Sequence, residues 1–441
     1  MQPTNDRIAL LHHVGGGNLG DDATLDTVLQ NLKRLRPNAV MAAFTINPDD
    51  TKQRHQIPSY PIRTTPWVFG YTRATAKSTW KSTIRALARQ HRFLFFLPRL
   101  CYDLARIPKT LYSEVSFLVA SRRIISSFDL LIISGGGQLT EWGGPWAFPY
   151  TLFKWVLLAK SARLKCLFLN VGAGPLSHPL SKFFVRRALT GADYVSFRDD
   201  QSRLLASQIG FKGSGQVFPD CVYSRDVRTL NTSAPRKSSQ LVVGIAPMPY
   251  WGHRVDPSEK NSVLYQGFID KLATFAASLV KDSYLLRLFG TDIGVDPLAI
   301  EDLQLSLLKH HNVATAEYSS VRSIDELLSS MSAVDYVVTC RFHGVVLAHL
   351  LNKPVLALSP HPKVRTLMND LGLSKYCLDI RTFDAKLLAD TFAFLVADTD
   401  EVKRHMAACL AEYRSRLMSQ FDELFADEGK CVETRSMELC H

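Results

Sequence analysis

The chain has 441 residues, of which 46% are hydrophobic and 21% charged. This composition is typical of a soluble globular protein with room for two domains, and it excludes a disordered or collagen-like chain. The sequence contains no apolar run of the roughly 18 residues that a membrane-spanning helix needs. Its first seven residues lack the basic and then apolar order of a signal peptide. The eight cysteines are widely spaced, with no C-x-x-C pair, which indicates buried thiols in a reducing compartment and no local zinc site. We therefore expect a cytoplasmic protein without a metal.

The net charge of +11 is concentrated in one stretch. Residues 60–127 contain twelve Lys or Arg and two acidic residues, which is nearly the whole surplus. Within this stretch Lys77, Lys81, Arg85 and Arg89 recur every four residues, which predicts one basic helix face. Apolar residues lie among them, including the run FLFFL at 93–97. We interpret the stretch as a region that contacts an anionic membrane surface, on the inner face of the plasma membrane.

The alternative interpretation of this stretch is a solvated basic face that the acidic tail around residues 422–428 covers. Binding to nucleic acid is not expected, because the sequence contains no recognised nucleic-acid-binding module.

Strand and helix patterns alternate along the chain, and a Thr-, Ser- and Pro-rich segment at residues 231–240 separates two series of them. Strands are predicted at residues 7–14, 40–46, 128–134, 166–171, 194–197, 241–246, 284–289, 336–339 and 354–358. Helices are predicted at residues 22–35, 150–162, from about 200, 267–280, 324–332, 345–351 and after about 384.

This alternation predicts an α/β fold of two Rossmann-like, doubly wound domains. The first is expected at residues 1–235, with the basic stretch as an insertion. The second is expected at 236–385, followed by a helical tail at 386–441. In such sheets, ligands bind beyond the carboxyl ends of the strands, so the cleft between the domains is the expected site.

The first candidate motif is a glycine-rich segment at residues 15–22, GGGNLGDD, between a strand and a helix. Gly17 and Asn18 would let the backbone approach a ligand, and the helix amides that follow would attract an anion. The alternative is a tight turn in which Asp21 or Asp22 caps the helix.

The second motif is a triple glycine at residues 135–137, after a buried strand. Gly136 and Gly137 would allow close approach of a substrate, or would simply provide a turn with positive φ. Glu141 follows as a candidate for contact with the acceptor.

Cationic side chains follow three other strands. Arg198, in the segment SFRDDQS, would grip a carboxylate or phosphate with its planar fork, unless it pairs with Asp199 or Asp200 on the surface. Arg341 and His343, in TCRFHG, would place a guanidinium and a proton-transfer group at the start of a helix. The alternative for His343 is a hydrogen bond inside the sheet. Lys363 would add a cation to the same edge, or would be a solvated loop lysine.

Together and in this order, the motifs resemble the polysaccharide pyruvyl transferase family. The matching segments, between about residues 11 and 373, are Gly17 to Asp21, the triple glycine, residues 172–176 (GAGPL), Phe197-Arg198-Asp199 with Ser202, residues 218–220 (FPD), Arg341-Phe342-His343-Gly344 and residues 352–355 (NKPV). Three consecutive glycines at residues 15–17 depart from the commoner opening of that family, which has one glycine there, and residues 60–127 have no counterpart in its pattern.

The resemblance implies a GT-B-like arrangement of the two domains, phosphoenolpyruvate as co-substrate, no metal or other cofactor, and a ketal product on two sugar hydroxyls. It implies that Arg198 and Arg341 bind the anionic groups of the donor, that Phe342, which follows Arg341, also belongs to the donor site, and that His343 is the general acid. The acceptor would be a glycan, either free or lipid-linked.

These residues also suggest a mechanism. A proton from His343 would reach the methylene carbon of the donor, and a sugar hydroxyl would attack the neighbouring carbon. Asp21, Asp22 and Glu141 are all candidates for the base that accepts the hydroxyl protons. The main alternative function is a nucleotide-sugar glycosyltransferase of the same fold, and a second is a non-catalytic scaffold.

Overall fold

The computed structural model describes residues 6–64, 110–228, 240–250, 259–314 and 316–426. The repeat of basic residues at 77–89 and residues 231–239 of the linker lie outside the described residues, as does the predicted domain boundary at 235. None of the helices in the described ranges has an apolar segment long enough to cross a bilayer.

The first half of the chain forms a parallel sheet of seven strands in the order β3-β2-β1-β4-β5-β6-β7. These strands are β1 (Arg7–Leu11), β2 (Val40–Thr45), β3 (Ser59–Pro61), β4 (Leu130–Ser134), β5 (Lys165–Val171), β6 (Tyr194–Phe197) and β7 (Gln216–Val217).

The second half forms a parallel sheet of six strands in the order β10-β9-β8-β11-β12-β13. These strands are β8 (Val242–Ala246), β9 (Leu285–Leu288), β10 (Glu317–Tyr318), β11 (Tyr336–Thr339), β12 (Val355–Ser359) and β13 (Cys377–Asp379). Two doubly wound parallel sheets are the architecture that the alternation predicts.

Helices cover the sheets and connect their strands. Those associated with the first half are α1 (Leu19–Leu35), α2 (Pro48–His55), α3 (residues 110–125), α4 (Phe148–Ser161), α5 (Pro179–Thr190) and α6 (Asp200–Gln208). Those of the second half are α7 (Glu259–Lys281), α8 (Asp296–His311), α9 (Ile324–Ser332), α10 (Phe342–Leu350), α11 (Pro362–Asp370), α12 (Ala385–Ala397) and α13 (Thr399–Phe425). Short 3₁₀ helices lie at Cys221–Ser224 and Ser374–Tyr376.

The central strands were predicted from their apolar runs, and the sheet edges were not. The four strands that the sequence does not predict, β3, β7, β10 and β13, are all edge strands of two or three residues. Such strands are too short to show a periodic pattern. The prediction for β1 was three residues too long, because the chain leaves the sheet after Leu11 and enters the glycine-rich loop.

The last helix, α13, connects the two halves. Its first part contributes Val402 and Met406 to the core of the second sheet. Its end contributes Phe421 and Phe425 to a core cluster of the first sheet.

A buried polar network fixes this end of α13. The Gln420 amide bonds the Asn170 side chain at 2.9 and 2.8 Å, the Tyr194 hydroxyl at 2.9 Å and the Ser196 hydroxyl at 3.0 Å. A buried amide needs such partners, so this network fixes the position of α13 on the first sheet. Asp422, which begins the acidic tail, pairs with Arg34 of α1 at 3.0 Å.

Candidate functional site

Each sheet has one switch point in its strand order. In the first sheet the chain changes direction of winding between β1 and β4, and in the second between β8 and β11. The candidate residues follow the carboxyl ends of β1, β4, β6, β11 and β12. This is the location at which open α/β sheets bind ligands.

The glycine-rich loop after β1 contacts the second half of the molecule directly. The Leu19 amide donates to the Thr291 carbonyl at 2.9 Å, and the Ile293 amide donates to the Gly17 carbonyl at 2.9 Å. Asn18 caps α1, with its side chain accepting from the Gly20 amide at 3.0 Å. The loop is therefore a joint between the two halves.

The alternative prediction that Asp21 or Asp22 caps α1 was wrong. Both carboxylates lie in the first turn of the helix, one turn after the Asn18 cap. An aspartate in the first turn still interacts favourably with the helix dipole.

Arg198 begins the loop after β6 and reaches across to the second half. Its guanidinium carbon lies 4.0 Å from the centroid of the Phe342 ring, at the start of α10. Its Nη1 is 3.5 Å from Oδ2 of Asp220, and its Nε is 3.5 Å from Asp199. The residue is 8% exposed and its Nε makes no hydrogen bond to a described atom. Arg198 is thus a buried, stacked cation with unused donors, which differs from the exposed pairing considered above.

His343 lies next to this guanidinium, in the first turn of α10. Its Nε2 is 3.8 Å from Oδ2 of Asp220, the same carboxylate that faces Arg198. Nε2 is buried and has no hydrogen-bond partner among the described atoms. The alternative prediction, a histidine held by hydrogen bonds inside the sheet, therefore does not describe this nitrogen. Burial lowers the pKa of His343, and Asp220 and Asp21 offset that only in part.

The His343 ring packs directly on the backbone of α1. A Cβ built on Gly20 would overlap the Cβ, Cγ and Nδ1 atoms of His343, so no other residue fits here without moving the imidazole. This contact explains why α1 begins with Leu-Gly and brings its amino terminus against α10.

We expect Gly20→Ala to lower the free energy of unfolding by about 1–3 kcal/mol, the usual cost of overpacking. Chemical denaturation measures the change. The matched control is Gly267→Ala in α7, where a new Cβ has no heavy atom within 4 Å. That control should be neutral or gain up to about 1 kcal/mol from better helix propensity. Equal stability of Gly20→Ala and the wild type would contradict this contact.

Arg341 occupies the N-cap position of α10, and its side chain bonds to Asp296 of α8. Its Nη2 and Nε lie 2.5 and 3.2 Å from Oδ1 of Asp296, and Asp292 is 3.7 Å away. Burial lowers the pKa of Arg341, but the two carboxylates raise it by a larger amount. The net pKa lies above its ordinary value, and the guanidinium stays charged. About a fifth of this side chain, 22%, stays accessible, so one edge of the guanidinium is available to a ligand.

Lys363 is the third cation and the least paired. Its ammonium makes no hydrogen bond or ion pair with the described residues, while its side chain is accessible to solvent. Desolvation by the surrounding protein, together with Arg198 and Arg341, lowers the pKa of Lys363 to about 8, against the opposite effect of Asp21. A group that is accessible yet surrounded by protein lies in a concave region. An ammonium held beside two guanidiniums favours a polyanionic ligand.

The three candidate carboxylates have different surroundings. Oδ2 of Asp21 lies 3.1 Å from Nε2 of His13, whereas Oδ1 of Asp22 lies 3.2 Å from Nε2 of His55 on α2. Glu141 accepts hydrogen bonds from the Ser177 amide at 2.6 Å and hydroxyl at 2.8 Å. Although burial raises the pKa of Glu141, these bonds lower it to about 2. Asp21 is the carboxylate whose charge acts on both His343 and Lys363.

The triple glycine lies next to the Asp21 side chain. Gly136 has a φ of +65°, and its carbonyl accepts from the Gly172 amide at 2.7 Å. A Cβ on Gly137 would meet only the Thr140 side chain, at 3.8 Å. Gly136 therefore provides a turn with positive φ. Open space at the end of β4 lies beside Gly137.

Sequence reasoning did not find three residues at this site. Asp220 lies in the matching segment at residues 218–220 but received no role, and His12 and His13 belong to no recognised spacing, although a pair of histidines directly after β1 was a signal that could have been used. Within the described ranges, no group of three or more His, Cys, Asp or Glu side chains is placed to hold a metal ion.

Comparison with known proteins gives one family and one fold. A family model described as polysaccharide pyruvyl transferase matches residues 18–362. No curated protein matches this sequence significantly.

Three solved structures illustrate the fold. A putative UDP-N-acetylglucosamine 2-epimerase from Listeria monocytogenes has a TM-score of 0.59 at 12% identity, covering 96% of this chain and 97% of its own. HepE from Anabaena, in complex with UDP, has a TM-score of 0.53 at 14% identity, covering 98% and 100%. The spinosyn rhamnosyltransferase SpnG, with thymidine diphosphate, has a TM-score of 0.52 at 12% identity, covering 95% and 99%. At these identities the likeness establishes a GT-B-like fold and nothing finer.

Proposed function

The chain belongs to the polysaccharide pyruvyl transferase family, and on that premise we propose that it transfers a pyruvyl group from phosphoenolpyruvate to two hydroxyls of a sugar. The acceptor is part of a surface polysaccharide or its lipid-linked precursor, and the products are a cyclic ketal and phosphate. The two domains, with the limits predicted from the sequence, meet around the donor.

One observation carries the choice of donor. Arg198 of the first half and Arg341 of the second both lower the pKa of Lys363, whose ammonium has no partner among the described residues. Phosphoenolpyruvate is small and bears a phosphate and a carboxylate, so several fixed cations are needed to bind it. The guanidinium forks suit planar oxyanions, and the ammonium acts as a point charge for phosphate.

The mechanism begins with proton transfer from His343 to the methylene carbon. The double-bond electrons form the new C–H bond, which leaves an oxocarbenium-like centre at the carbon that bears the phosphate. The first hydroxyl oxygen attacks this carbon and loses its proton. The second hydroxyl then displaces phosphate, which leaves with the electrons of its C–O bond. Of the two protons that the diol gives up, one restores His343 and the other leaves on phosphate.

A product assay tests the proposal. The protein is incubated with phosphoenolpyruvate, UDP-sugars or dTDP-sugars, each with a panel of methyl pyranosides and lipid-diphosphate-linked glycans. Release of phosphate from phosphoenolpyruvate, with loss of two acceptor hydroxyls by NMR, is expected. Release of a nucleoside diphosphate instead would favour the glycosyltransferase alternative. A thermal shift with phosphoenolpyruvate in the absence of acceptor separates donor binding from acceptor choice, and its absence would favour a scaffold.

We also propose that the region around residues 60–127 contacts an anionic membrane. Its described part supports this, because α3 exposes an apolar strip with Tyr112 and Val119 exposed by 75% and 58%. Leu111 and Val115 belong to the same strip. Apolar side chains next to a basic stretch are typical of interfacial helices, in which charge attracts the helix and apolar burial anchors it.

Liposome flotation measures this contact. We expect the wild type to float with vesicles that contain anionic lipid and to float less as salt rises. The double variant Val115→Glu/Val119→Glu should float several-fold less. Val263→Glu, at a position 70% exposed on the second half, is the matched control and should behave as wild type. Equal binding to neutral and anionic vesicles would count against the role of charge.

A further inference from the structure

Two histidines follow β1 directly and lie at the base of the site. Their rings are stacked, with centroids 4.7 Å apart and planes inclined by 14°. His12 is completely buried, and neither of its ring nitrogens has a hydrogen-bond partner among the described atoms. His13 lies above it and points Nε2 at Asp21, 3.1 Å away, while its Nδ1 has no described partner. A buried polar group without a partner is costly, so this arrangement needs an explanation.

The backbone of Gly136 lies directly against this pair, where even a single Cβ would be crowded. A Cβ at Gly136 would lie 3.1 Å from Cε1 of His13, 3.5 Å from Nε2 of His12 and 3.6 Å from Oδ1 of Asp21. The positive φ of Gly136 keeps other residues from this position.

The proposed acid also lies near Asp21. His343 packs on Gly20, the residue before Asp21, and the charges of His343 and Asp21 influence each other. The imidazoles of His13 and His343 therefore both lie at the amino terminus of α1.

The surroundings of the other candidates leave Asp21 as the carboxylate for proton transfer. Asp22 contacts the His55 imidazole. Glu141 accepts hydrogen bonds from Ser177 and so fixes the loop before α5. Asp21 differs from both because its partner is an imidazole that still has a free nitrogen.

We propose that His13, held by Asp21, is the base that accepts the first proton from the acceptor hydroxyl. This inference rests on the proposed pyruvyl transfer. The hydroxyl proton moves to Nδ1 of His13 as the hydroxyl oxygen forms its bond to the donor carbon, and the carboxylate stabilises the resulting imidazolium. The Nε2–H tautomer, with its proton directed at Asp21, leaves the Nδ1 lone pair available. That proton leaves later on the phosphate.

The electrostatics agree with this division of roles. Burial lowers the pKa of His13, but the interactions with Asp21 and with the Gln138 side chain together raise it by more, so the pKa lies above its ordinary value. The groups that face His13 are His12 in its own loop, Asp21 of α1, Gln138 after β4 and Lys363 of α11. A base performs better when its protonated form is stabilised, which is what the carboxylate does. As a base, His13 must start neutral, so transfer should increase with pH through its titration.

Chemical rescue tests the proposal. His13→Gly should retain binding of phosphoenolpyruvate by calorimetry but release phosphate at least about 100-fold more slowly with the best methyl pyranoside of the panel. Added imidazole should restore activity in proportion to its neutral form, so rescue increases with pH. His343→Gly should show the opposite pH dependence, because there the imidazolium is the useful form. Asp21→Asn should reduce transfer and lower the pKa of His13 in ¹⁵N NMR. His310→Ala, on the exposed side of α8, is the control and should remain fully active.

The possible outcomes distinguish a failure of the role of His13 from a failure of pyruvyl transfer itself. Wild-type turnover by His13→Gly, or rescue that follows the imidazolium, would overturn the role of His13 while leaving pyruvyl transfer intact. Wild-type protein that neither binds phosphoenolpyruvate nor releases phosphate would overturn the proposed function and this inference with it. If His13→Gly melts at a lower temperature than the wild type, His13→Asn replaces it for the activity comparison and Asp21→Asn for the titration.

Discussion

Replacing His343 with asparagine is expected to slow phosphate release by at least about 100-fold, up to about 10,000-fold, the range that general acid catalysis usually contributes. Asparagine keeps a polar side chain of similar size but has no proton to give near neutral pH. Donor affinity should change little, because the cations that bind phosphoenolpyruvate remain. Initial rates of phosphate release measure the first effect, and calorimetry with phosphoenolpyruvate measures the second.

The lowered pKa of His343 makes this prediction more specific. In the free protein burial lowers that pKa, so the imidazole is mostly neutral at pH 7. A bound phosphate and carboxylate would raise it, because negative charge nearby favours the protonated form. Donor binding should therefore take up a proton, and His343 becomes an acid only when it has a substrate to protonate.

Calorimetry at pH 7 in buffers of different ionisation enthalpy counts this proton. At that pH Lys363, with a pKa of about 8, is already largely protonated and contributes little. The wild type should take up more protons than His343→Asn, and His310→Asn should match the wild type. Identical proton uptake by wild type and His343→Asn would remove His343 from the role of acid.

The sequence indicated which side chains the fold brings to one edge better than it indicated the contacts among them. Arg198, Arg341 and Lys363 became candidates because each lies within a few residues of the end of an apolar strand, and carboxyl ends of parallel strands converge at one edge. The same rule applies to His13 after β1, but the neighbouring glycines drew the interpretation towards an anion-binding loop. Gly17 instead contacts Ile293 in the second half.

Contacts that depend on tertiary structure could not be predicted. Asp220 faces both Arg198 and His343 at 3.5 and 3.8 Å, although it is separated from His343 by more than a hundred residues. Likewise, no sequence pattern shows that Gly20 leaves room for the His343 ring. Local periodicity identifies elements, whereas the pairing of side chains from different loops is set by how the two sheets meet.

Removal of the Arg198 guanidinium should mainly weaken donor binding. Arg198→Ala takes away a buried cation, and truncating one partner of such a charge pair usually costs about 2–5 kcal/mol. That corresponds to an increase of about 30-fold or more in the Kd for phosphoenolpyruvate. Arg198→Lys should recover only part of the loss, since an ammonium lacks the planar fork and the stacking on Phe342. Arg203→Ala on the exposed side of α6 is the matched control, because within the described part of the chain that arginine pairs only with Asp200 at the surface.

The same variant should change the acid as well as the binding site. Arg198 lowers the pKa of His343, whereas Asp220 and Asp21 raise it, so removal of Arg198 takes away one of the effects that keep this pKa low. His343 in Arg198→Ala should therefore titrate at higher pH than in the wild type, which ¹⁵N NMR of the free proteins measures. An unchanged Kd together with an unchanged titration would mean that Arg198 faces neither the donor nor the acid. A raised Kd with a shifted titration would tie the guanidinium of the first sheet and the imidazole of the second to one bound anion.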